Sequence, residues 1–192
     1  MANALEGKSA LITGCGSGIG RATSLAFARA GASVTCADVD QSGGEATVAM
    51  IREAQGVAEF VRSDVTDANQ VQALINRIVS THGRLDCAYN NAGIEGDVME
   101  VHEASERNFD RLMAVNVNGA LICSQAALPY MRQRGGGRII NQVSGGAFPA
   151  GSGYGVSKLA LVGVTTTLAR ELGPEGIDGY TVLKSISVAA GR

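Results

Sequence analysis

Short apolar runs alternate along the chain with longer stretches of mixed polar and apolar residues. The runs have the length and composition of buried strands, and the stretches between them read as helices. Strand and helix alternating in this way predict a parallel sheet with helices on both faces. The six predicted strands are Lys8–Thr13, Ser33–Ala37, Val57–Val61, Leu85–Tyr89, Arg138–Val143 and Tyr180–Leu183.

Helices are predicted between the strands, and right-handed crossovers then make the sheet doubly wound. The fourth helix is the longest, and we expect an irregularity near Asn116–Gly119 because Asn and Gly weaken helix propensity. A length of 192 residues fits a single α/β domain over residues 1–192. The predicted helices are Arg21–Ala30, Gly44–Gln55, a helix capped by Asp67 that ends near Thr81, Glu106–Met131 and Gly155–Leu172.

Composition narrows the classes of function. The formal net charge is −2 and no run of Lys or Arg occurs, which argues against nucleic-acid binding. With 26 glycines and 3 prolines, the chain fits tight strand–helix turns better than disorder. The segment Met1–Lys8 does not have the pattern of a signal peptide, and no apolar stretch reaches the length of a membrane span. We therefore expect a cytoplasmic protein without a membrane partner.

The four cysteines are scattered, without a C-x-x-C pair. This spacing argues against a zinc site and a disulfide framework, and it predicts buried reduced thiols. Cys15 is the exception, because it is predicted at a helix N-terminus, where a thiol pKa can fall; a functional role for it is not favoured. With only His82 and His102 as histidines, no metal site is expected. The cysteines are Cys15, Cys36, Cys87 and Cys123.

A glycine-rich segment joins the first strand to the first helix. Gly14, Gly18 and Gly20 are spaced as G-x-x-x-G-x-G. Between a strand and a helix, such glycines let the backbone approach a pyrophosphate, and the helix N-terminus supplies free N–H groups and the positive end of its dipole. The segment therefore predicts a nucleotide site; the alternative is a tight turn without a ligand.

Asp38 stands at the end of the second strand, eighteen residues after Gly20. An acidic group at this place accepts hydrogen bonds from the adenosine ribose hydroxyls and repels a 2′-phosphate. No Arg or Lys follows Asp38, since Val39 and Asp40 come next. Cys15 and Ser17 in the glycine loop are also uncharged. NAD is therefore favoured over NADP. The alternative for Asp38 is a turn or helix-capping residue.

Other candidate residues follow the third and fourth strands. Asp64 and Val65 come after the third, and Asn90–Gly93 end the fourth. In doubly wound sheets, ligands bind outside the carboxyl ends of the strands. The glycine segment and Asp38 lie at the same edge, and this agreement favours a nucleotide cleft there.

Tyr154 and Lys158 share one face of a predicted helix, because they are four residues apart. An ammonium close to a phenol favours the phenolate. It could therefore bring a tyrosine, which ordinarily titrates near ~10, toward the pH range in which acid–base catalysis works. The spacing alone is more often that of two amphipathic residues on a helix surface.

Taken together, the motifs resemble those of the short-chain dehydrogenase/reductase family. The resemblance runs from Leu5 to Gly176. It implies a Rossmann-type fold and hydride transfer between NAD(P) and an alcohol/carbonyl pair. The motifs are Thr13–Gly20, Asn90–Gly93, Asn116 within Val-Asn-Val-Asn-Gly, Ser144 after a strand, and Tyr154-x-x-x-Lys158.

The resemblance also implies roles for single residues. Tyr154 would be the general base in oxidation and the acid in reduction, and Lys158 would hold the nicotinamide ribose and lower the pKa of Tyr154. Ser144 would hydrogen-bond the substrate oxygen, and Asn116 would anchor a water that links Lys158 to solvent. The implied cofactor-binding residues are Gly14, Ser17, Gly18, Ile19, Gly20, Asp38, Asp64, Val65, Asn90, Ala92, Gly93, Tyr154 and Lys158.

The sequence departs from the family pattern in two places. The step from Ser144 to Tyr154 is shorter than usual, so Ser152 is a weaker second candidate for the substrate-binding serine. After Gly176 we find no Pro-Gly turn and no helical flap, so we expect six strands instead of seven and a partly open substrate side. Substrate-facing positions are expected in Ile94–Val98, Gly145–Ala150 and the tail from 177 to 192.

The first hypothesis is therefore an NAD-dependent oxidoreductase for a secondary alcohol or ketone. The alternative is a catalytically impaired NAD-binding remnant of the same family, because the substrate-covering part is missing. A serine hydrolase acting through Ser144 is a distant third, since no G-x-S-x-G elbow or neighbouring histidine accompanies it. Family oligomers often pair the two long helices, so the resemblance favours a homodimer through Glu106–Met131 and Gly155–Leu172.

Overall fold

In the part of the chain that the structure describes, the sheet contains six strands, all parallel to their neighbours. The computed structural model describes residues 4–97, 99–145 and 152–184, and only the backbone of residues 175 and 178–184. The strands are β1 (Ser9–Thr13), β2 (Ser33–Asp38), β3 (Val57–Arg62), β4 (Cys87–Asn90), β5 (Gly137–Ser144) and β6 (Ile177–Lys184). Their order across the sheet is β3-β2-β1-β4-β5-β6, which confirms the predicted doubly wound arrangement and the six strands.

Helices connect the strands and cover both faces of the sheet. They are α1 (Gly18–Arg29), α2 (Gln41–Glu53), α3 (Ala68–His82), α4 (Glu106–Met113), α5 (Gly119–Gln133) and α6 (Gly153–Leu172). Short 3-10 turns lie at Val101–Glu103 and Gly173–Glu175.

Successive side chains of β1 pack into two different hydrophobic clusters, one on each face of the sheet. Ala10 and Ile12 belong to a cluster with residues of α2 such as Ile51, whereas Leu11 belongs to a second cluster with residues of α3 and α5. Successive side chains of a strand point to opposite faces, so each fully buried strand contributes to both layers. Every residue of β1 is buried.

Several predicted boundaries differ from the observed ones, by up to three residues: α2 begins at Gln41 and not at Gly44, and β6 begins at Ile177 and not at Tyr180. Helix α1 begins at Gly18 and not at Arg21, so its first turn includes the glycines of the motif. Strand β4 begins at Cys87 and not at Leu85. The predicted N-cap at Asp67 is confirmed, because its side chain accepts hydrogen bonds from the backbone N–H groups of Asn69 and Gln70.

The long fourth helix is interrupted, as predicted. A π-helical turn at Ala114–Asn118 separates α4 from α5, and it contains Asn116. By length and composition alone, the continuous helical run Glu106–Gln133 could cross a membrane. The sequence led us to expect no stretch of that length. Half of the most apolar part of this run is buried inside the fold. The core helix of a folded domain passes the same test.

A buried polar cluster ties the centre of the sheet to the helices behind it. The amide of Asn90 donates to Asn141 Oδ1 at 2.9 Å and to Ser124 Oγ at 3.2 Å. Asn141 in turn donates to Thr165 Oγ1 at 2.9 Å. Buried amides need such partners, and the cluster fixes β4 and β5 against α5 and α6.

Candidate active site and cofactor cleft

A cleft of about 620 Å³ opens at the carboxyl ends of β1 to β4, the edge that the sequence predicts. It contains most of the predicted cofactor residues and several that the sequence analysis did not name. It is lined by Gly14, Ser17, Gly18, Ile19, Ala37, Asp38, Val39, Ser63, Asp64, Val65, Asn91, Ala92, Gly93, Ile94, Arg111 and Val115.

The glycine loop has the geometry of a phosphate cradle. Gly18 has φ +49°, and a Cβ placed there would meet no atom within 4 Å, so the backbone faces open space. Ser17 caps α1 through its backbone conformation, without a side-chain hydrogen bond to the first turn. The first N–H groups of a helix lack intrahelical partners, and here they meet the cleft at the positive end of the helix dipole. These features fit the pyrophosphate of a dinucleotide.

Gly20 has a different task from the one predicted. It does not line the cleft; a Cβ there would lie 1.9 Å from the carbonyl oxygen of Gly14. The packing of α1 against the start of the loop is therefore enough to require glycine at position 20.

Thr13 and Asn91 fix the loop to the end of β4. Thr13 Oγ1 accepts hydrogen bonds from the backbone N–H groups of Asn91 at 3.0 Å and Ala92 at 3.1 Å. The Asn91 side chain donates to the carbonyl oxygens of Thr13 and Gly14, both at 3.1 Å. No role for Asn91 was predicted from the sequence. Both asparagines follow the same strand, so the sequence does not show which of the two side chains faces the cleft. The pairing of β1 with β4 decides this.

Asn90 itself points away from the cleft. Its side chain is buried in the polar cluster behind the sheet, and it is absent from the cleft lining. The Asn90 side chain, implied by the resemblance to bind the cofactor, therefore lies on the far side of the strand, because alternate residues of a strand face opposite sides.

Asp38 lies at the rim of the cleft. Its carboxylate accepts hydrogen bonds from the N–H groups of Gly16 at 2.7 Å and Asp40 at 2.9 Å. The neighbouring strand places Arg62 directly opposite Asp38, and Arg62 Nε donates to the carbonyl oxygen of Val39 at 3.3 Å. A cationic residue therefore occupies the strand position paired with Asp38, although none follows Asp38 in the sequence.

Asp64 and Val65 form another part of the cleft wall. Asp64 Oδ1 accepts from the backbone N–H of Thr66 at 2.9 Å and from its hydroxyl at 2.8 Å, which closes a turn. Val65 is buried and packs against Gly119, where a Cβ would lie 2.7 Å from a Val65 methyl.

The catalytic candidates lie together at the end of β5 and the start of α6. Ser144 ends β5, and its hydroxyl hydrogen-bonds the phenol of Tyr154. Ser152 is the N-cap of α6, where its hydroxyl accepts a hydrogen bond from Gly155 N–H at 3.2 Å. This capping role leaves Ser144 as the serine beside Tyr154. The expected substrate-facing residues 98, 146–150 and 185–192 lie outside the described residues.

Lys158 is almost completely buried behind Tyr154. Its Nζ lies 5.7 Å from the centre of the phenol ring and donates to the carbonyl oxygen of Gln142 at 2.9 Å. Burial lowers the pKa of Lys158 from 10.5 to about 8, because desolvation disfavours the ammonium.

The pKa of Tyr154 moves in the opposite direction to the one predicted. Burial raises it above its ordinary value, the hydrogen bond from Ser144 lowers it, and the negative charge of Glu95 raises it further. Lys158 does not produce the expected depression of the Tyr154 pKa. The phenol is therefore protonated at neutral pH.

Asn116 is the centre of a buried clamp. Its Oδ1 accepts from Ile94 N–H at 2.8 Å, and its amide donates to Ile94 O and to Ser157 Oγ, both at 2.9 Å. Ser157 Oγ donates to the carbonyl oxygen of Tyr154 at 2.7 Å. The π-helical turn thus holds the segment after β4 against the helix that carries Tyr154 and Lys158.

Gly93 joins the cleft to these catalytic candidates. It lines the cleft, and a Cβ on it would lie 3.1 Å from Asn116 Oδ1 and 3.3 Å from Lys158 Nζ. The cleft therefore ends next to Lys158, although Ser144, Tyr154 and Lys158 do not themselves line it.

Cys15 is not the activated thiol that its place in the sequence suggested. It is fully buried, and its pKa is raised by a hydrogen bond with Cys36 and by burial. All four cysteines are free and buried. Among the described residues, no three His, Cys, Asp or Glu side chains form a metal-binding group.

A second cavity, of about 580 Å³, lies at the opposite edge of the sheet, between Lys8, Phe27 and Arg138. None of the predicted catalytic or cofactor residues lines it. The chemistry therefore belongs to the cleft at the carboxyl ends, where the candidate residues converge.

Comparison with known proteins identifies the family. The family model of the short chain dehydrogenases matches residues 8–185. The chain belongs to the short-chain dehydrogenase/reductase family. An uncharacterized oxidoreductase of Thermotoga maritima is 41% identical over 175 residues, which cover 90% of this chain and 68% of that protein.

Two further relatives have named activities. The D-threitol dehydrogenase of Mycolicibacterium smegmatis is 35% identical over 95% of this chain and 71% of its own length. The crystal structure of NAD⁺-bound xylitol dehydrogenase matches with a TM-score of 0.92 and 30% identity, over 95% of this chain and 71% of that one. The chain spans 62 to 71% of the length of the curated relatives that it matches. Family membership establishes an oxidoreductase that uses a nicotinamide cofactor and a small-molecule substrate.

Proposed function

We propose that this chain catalyses NAD-dependent hydride transfer between the nicotinamide and a secondary alcohol or ketone. The observation that carries this proposal is the position of Gly93, which lines the glycine-loop cleft and whose Cβ, if it had one, would lie 3.3 Å from the Nζ of the buried Lys158. A cofactor in the cleft would thereby extend toward Ser144 and Tyr154, the pair able to handle a proton.

Ser144 and Tyr154 would have different roles toward the substrate oxygen. The hydroxyl of Ser144 would donate a hydrogen bond to that oxygen and stabilise the charge that develops there. Tyr154 would donate a proton in ketone reduction and accept one in alcohol oxidation. Since burial raises its pKa, the protonated form that reduction needs predominates at neutral pH. When bound, the nicotinamide supplies the hydride chemistry.

Lys158 and Asn116 support this pair from behind. Lys158 would hold the nicotinamide ribose, and its pKa of about 8 leaves it mainly protonated at neutral pH. A positive charge brought closer to the phenol would favour the phenolate. Asn116 keeps the Ile94 segment and α6 in register through its hydrogen bonds, and a water next to it would complete the proton path to solvent.

NAD is the proposed cofactor because Asp38 places a carboxylate at the ribose end of the cleft. The named relatives that act on threitol and xylitol support a secondary alcohol as substrate. The proximity of Ser144, Tyr154 and Lys158 supports the enzyme over the alternative of an inactive remnant.

A homodimer through α5 and α6 is proposed with the function. Leu159, on α6, is a large apolar side chain with 40% of its surface exposed, and a symmetry-related α6 would cover it. Sedimentation equilibrium tests this proposal: a monomer at micromolar concentration contradicts it.

The decisive experiment begins with NAD and NADP affinities by calorimetry, followed by NADH formation with a panel of secondary alcohols. Tyr154→Phe keeps the ring but removes the proton-transferring hydroxyl, so we expect kcat to fall about 100-fold or more with NAD affinity nearly unchanged. Tyr130→Phe is the matched control, because the Tyr130 hydroxyl bonds Asn76 away from the site. Full activity in Tyr154→Phe, or no NAD binding by the natural chain, would refute the proposed function.

A further inference from the structure

One carboxylate beside the reacting groups has no role in the mechanism above. Glu95 lies two residues after Gly93, in the segment that follows β4, and its side chain is exposed. Its negative charge reaches the phenol of Tyr154, and among the described residues no other acidic side chain is found to act on that phenol.

The backbone around Glu95 is held on both sides. Before it, Ile94 exchanges two hydrogen bonds with the buried amide of Asn116, at 2.8 and 2.9 Å. After it, Asp97 N–H donates to Asn108 Oδ1 at 3.0 Å. Asn108 and Asn116 are both buried in the run from α4 through the π-helical turn. The backbone of Glu95 is therefore held next to the helix that carries Tyr154, because Asn116 also donates to Ser157, which bonds the Tyr154 carbonyl oxygen.

The carboxylate is available to a ligand. Within the described part of the chain, Glu95 makes no side-chain hydrogen bond and no ion pair, whereas Asp38 and Asp64 both accept backbone N–H groups. An ionised carboxylate only accepts hydrogen bonds. It would pair with a substrate hydroxyl and repel a substrate carboxylate held at the same place.

We propose that Glu95 determines the charge class of the substrate, so that the site prefers an uncharged diol or polyol over a hydroxy acid. A second hydroxyl next to the reacting carbon would donate to Glu95 while the reacting oxygen meets Ser144 and Tyr154. This inference rests on the proposed function, because it assigns the substrate class of the same site.

The test compares two substrates of equal carbon number, butane-2,3-diol and 3-hydroxybutyrate. We expect kcat/KM to favour the diol in the natural chain, and Glu95→Gln to reduce that preference about threefold to fivefold, the size of a solvent-screened charge effect. The change should appear mainly in KM, and it should shrink at high salt because the charge is exposed. Glu100→Gln, an exposed carboxylate further along the same segment, is the control and should leave the preference unchanged.

A binding measurement makes the test independent of turnover. In the complex with NADH, isobutyramide should bind more tightly than isobutyrate, and Glu95→Gln should reduce the difference by the same factor. An unchanged diol preference, or an unchanged amide preference, in Glu95→Gln would overturn the inference while leaving the proposed function intact. Failure of the natural chain to bind NADH counts against the proposed function itself and removes the basis of the inference.

Discussion

Asp38 and Arg62 face each other across neighbouring strands, where β2 and β3 end. The carboxylate of Asp38 repels a 2′-phosphate on the adenosine ribose, whereas a guanidinium is well suited to bind one. Within the described part of the chain, Arg62 donates a side-chain hydrogen bond only from its Nε, to the carbonyl oxygen of Val39. We therefore expect the proposed preference for NAD to depend on the balance between these two charges, and not on Asp38 alone.

Opposite substitutions test this balance. Asp38→Asn keeps an oxygen that can accept the Gly16 N–H but removes the charge, so NADP affinity should rise relative to NAD affinity, by about fivefold. Arg62→Ala should shift the same ratio in the other direction. Calorimetric titration of both cofactors measures the ratio, and Arg29→Ala, at the far end of α1, serves as the control. Unchanged discrimination in Asp38→Asn would contradict the proposed role of the carboxylate.

At the scale of elements, the turn from β1 into α1 contains glycines with different reasons for being glycine. Gly18 has φ +49° with open space around its missing side chain, whereas Gly20 has no room because Gly14 O lies behind it. The sequence motif treats them alike. The structure separates a glycine that faces the ligand space from one that lets the helix pack against the loop.

Substituting these two glycines by alanine should therefore affect stability and NAD binding to different extents. Gly20→Ala forces the helix away from the loop, so we expect a loss of about 2 kcal/mol of unfolding free energy together with weaker NAD binding. Gly18→Ala should cost about 1 kcal/mol, from its left-handed backbone, and it should weaken NAD binding by crowding the phosphates. Urea denaturation and NAD titration check both effects, and equal stability of the Gly18 and Gly20 variants would contradict this distinction.

The helix irregularity at Ala114–Asn118 could be predicted from the sequence, but the contacts that this π-helical turn makes could not. The Asn-Val-Asn-Gly sequence weakens a regular helix, so an irregularity could be expected there. That Asn116 reaches both Ile94 and Ser157 depends on three segments meeting in space. No spacing along the chain encodes this meeting.

For the whole molecule, the burial of Lys158 links stability to pH. Its pKa in the folded chain is about 8 against an ordinary value of 10.5. Between these values the unfolded chain binds a proton that the folded chain does not, so this residue makes stability rise as pH increases. Below the lower value both states are protonated, and the cost of burying the ammonium is present in full.

Lys158→Met removes the charge but keeps a long side chain, so it should remove this dependence. The unfolding free energy of the variant relative to the natural chain should be higher at pH 7 than at pH 10.5, by at most about 3 kcal/mol. Taking this difference cancels the contributions of the buried tyrosines and cysteines, whose pKa values are raised. Urea denaturation at several pH values provides the measurement, and parallel curves for the two proteins would show that Lys158 is not the titrating group.

The sequence by itself determined the architecture of this protein and the edge of the sheet at which its site lies. Apolar runs alternating with helical stretches require a parallel sheet, and a parallel sheet brings the residues after each strand to one edge. Glycine at a strand–helix turn and Tyr154 four residues before Lys158 are local features, and local spacing is enough to find them.

The tertiary structure alone decided which of those residues face the cleft and how their charges behave. It turned Asn90 inward and Asn91 outward, placed Arg62 beside Asp38, and enclosed Lys158 so that its pKa fell. Each of these outcomes depends on strand register, on neighbours distant in sequence, or on the exclusion of water. Those quantities exist only once the chain has folded, because desolvation and contact are properties of the packed molecule and not of residue order.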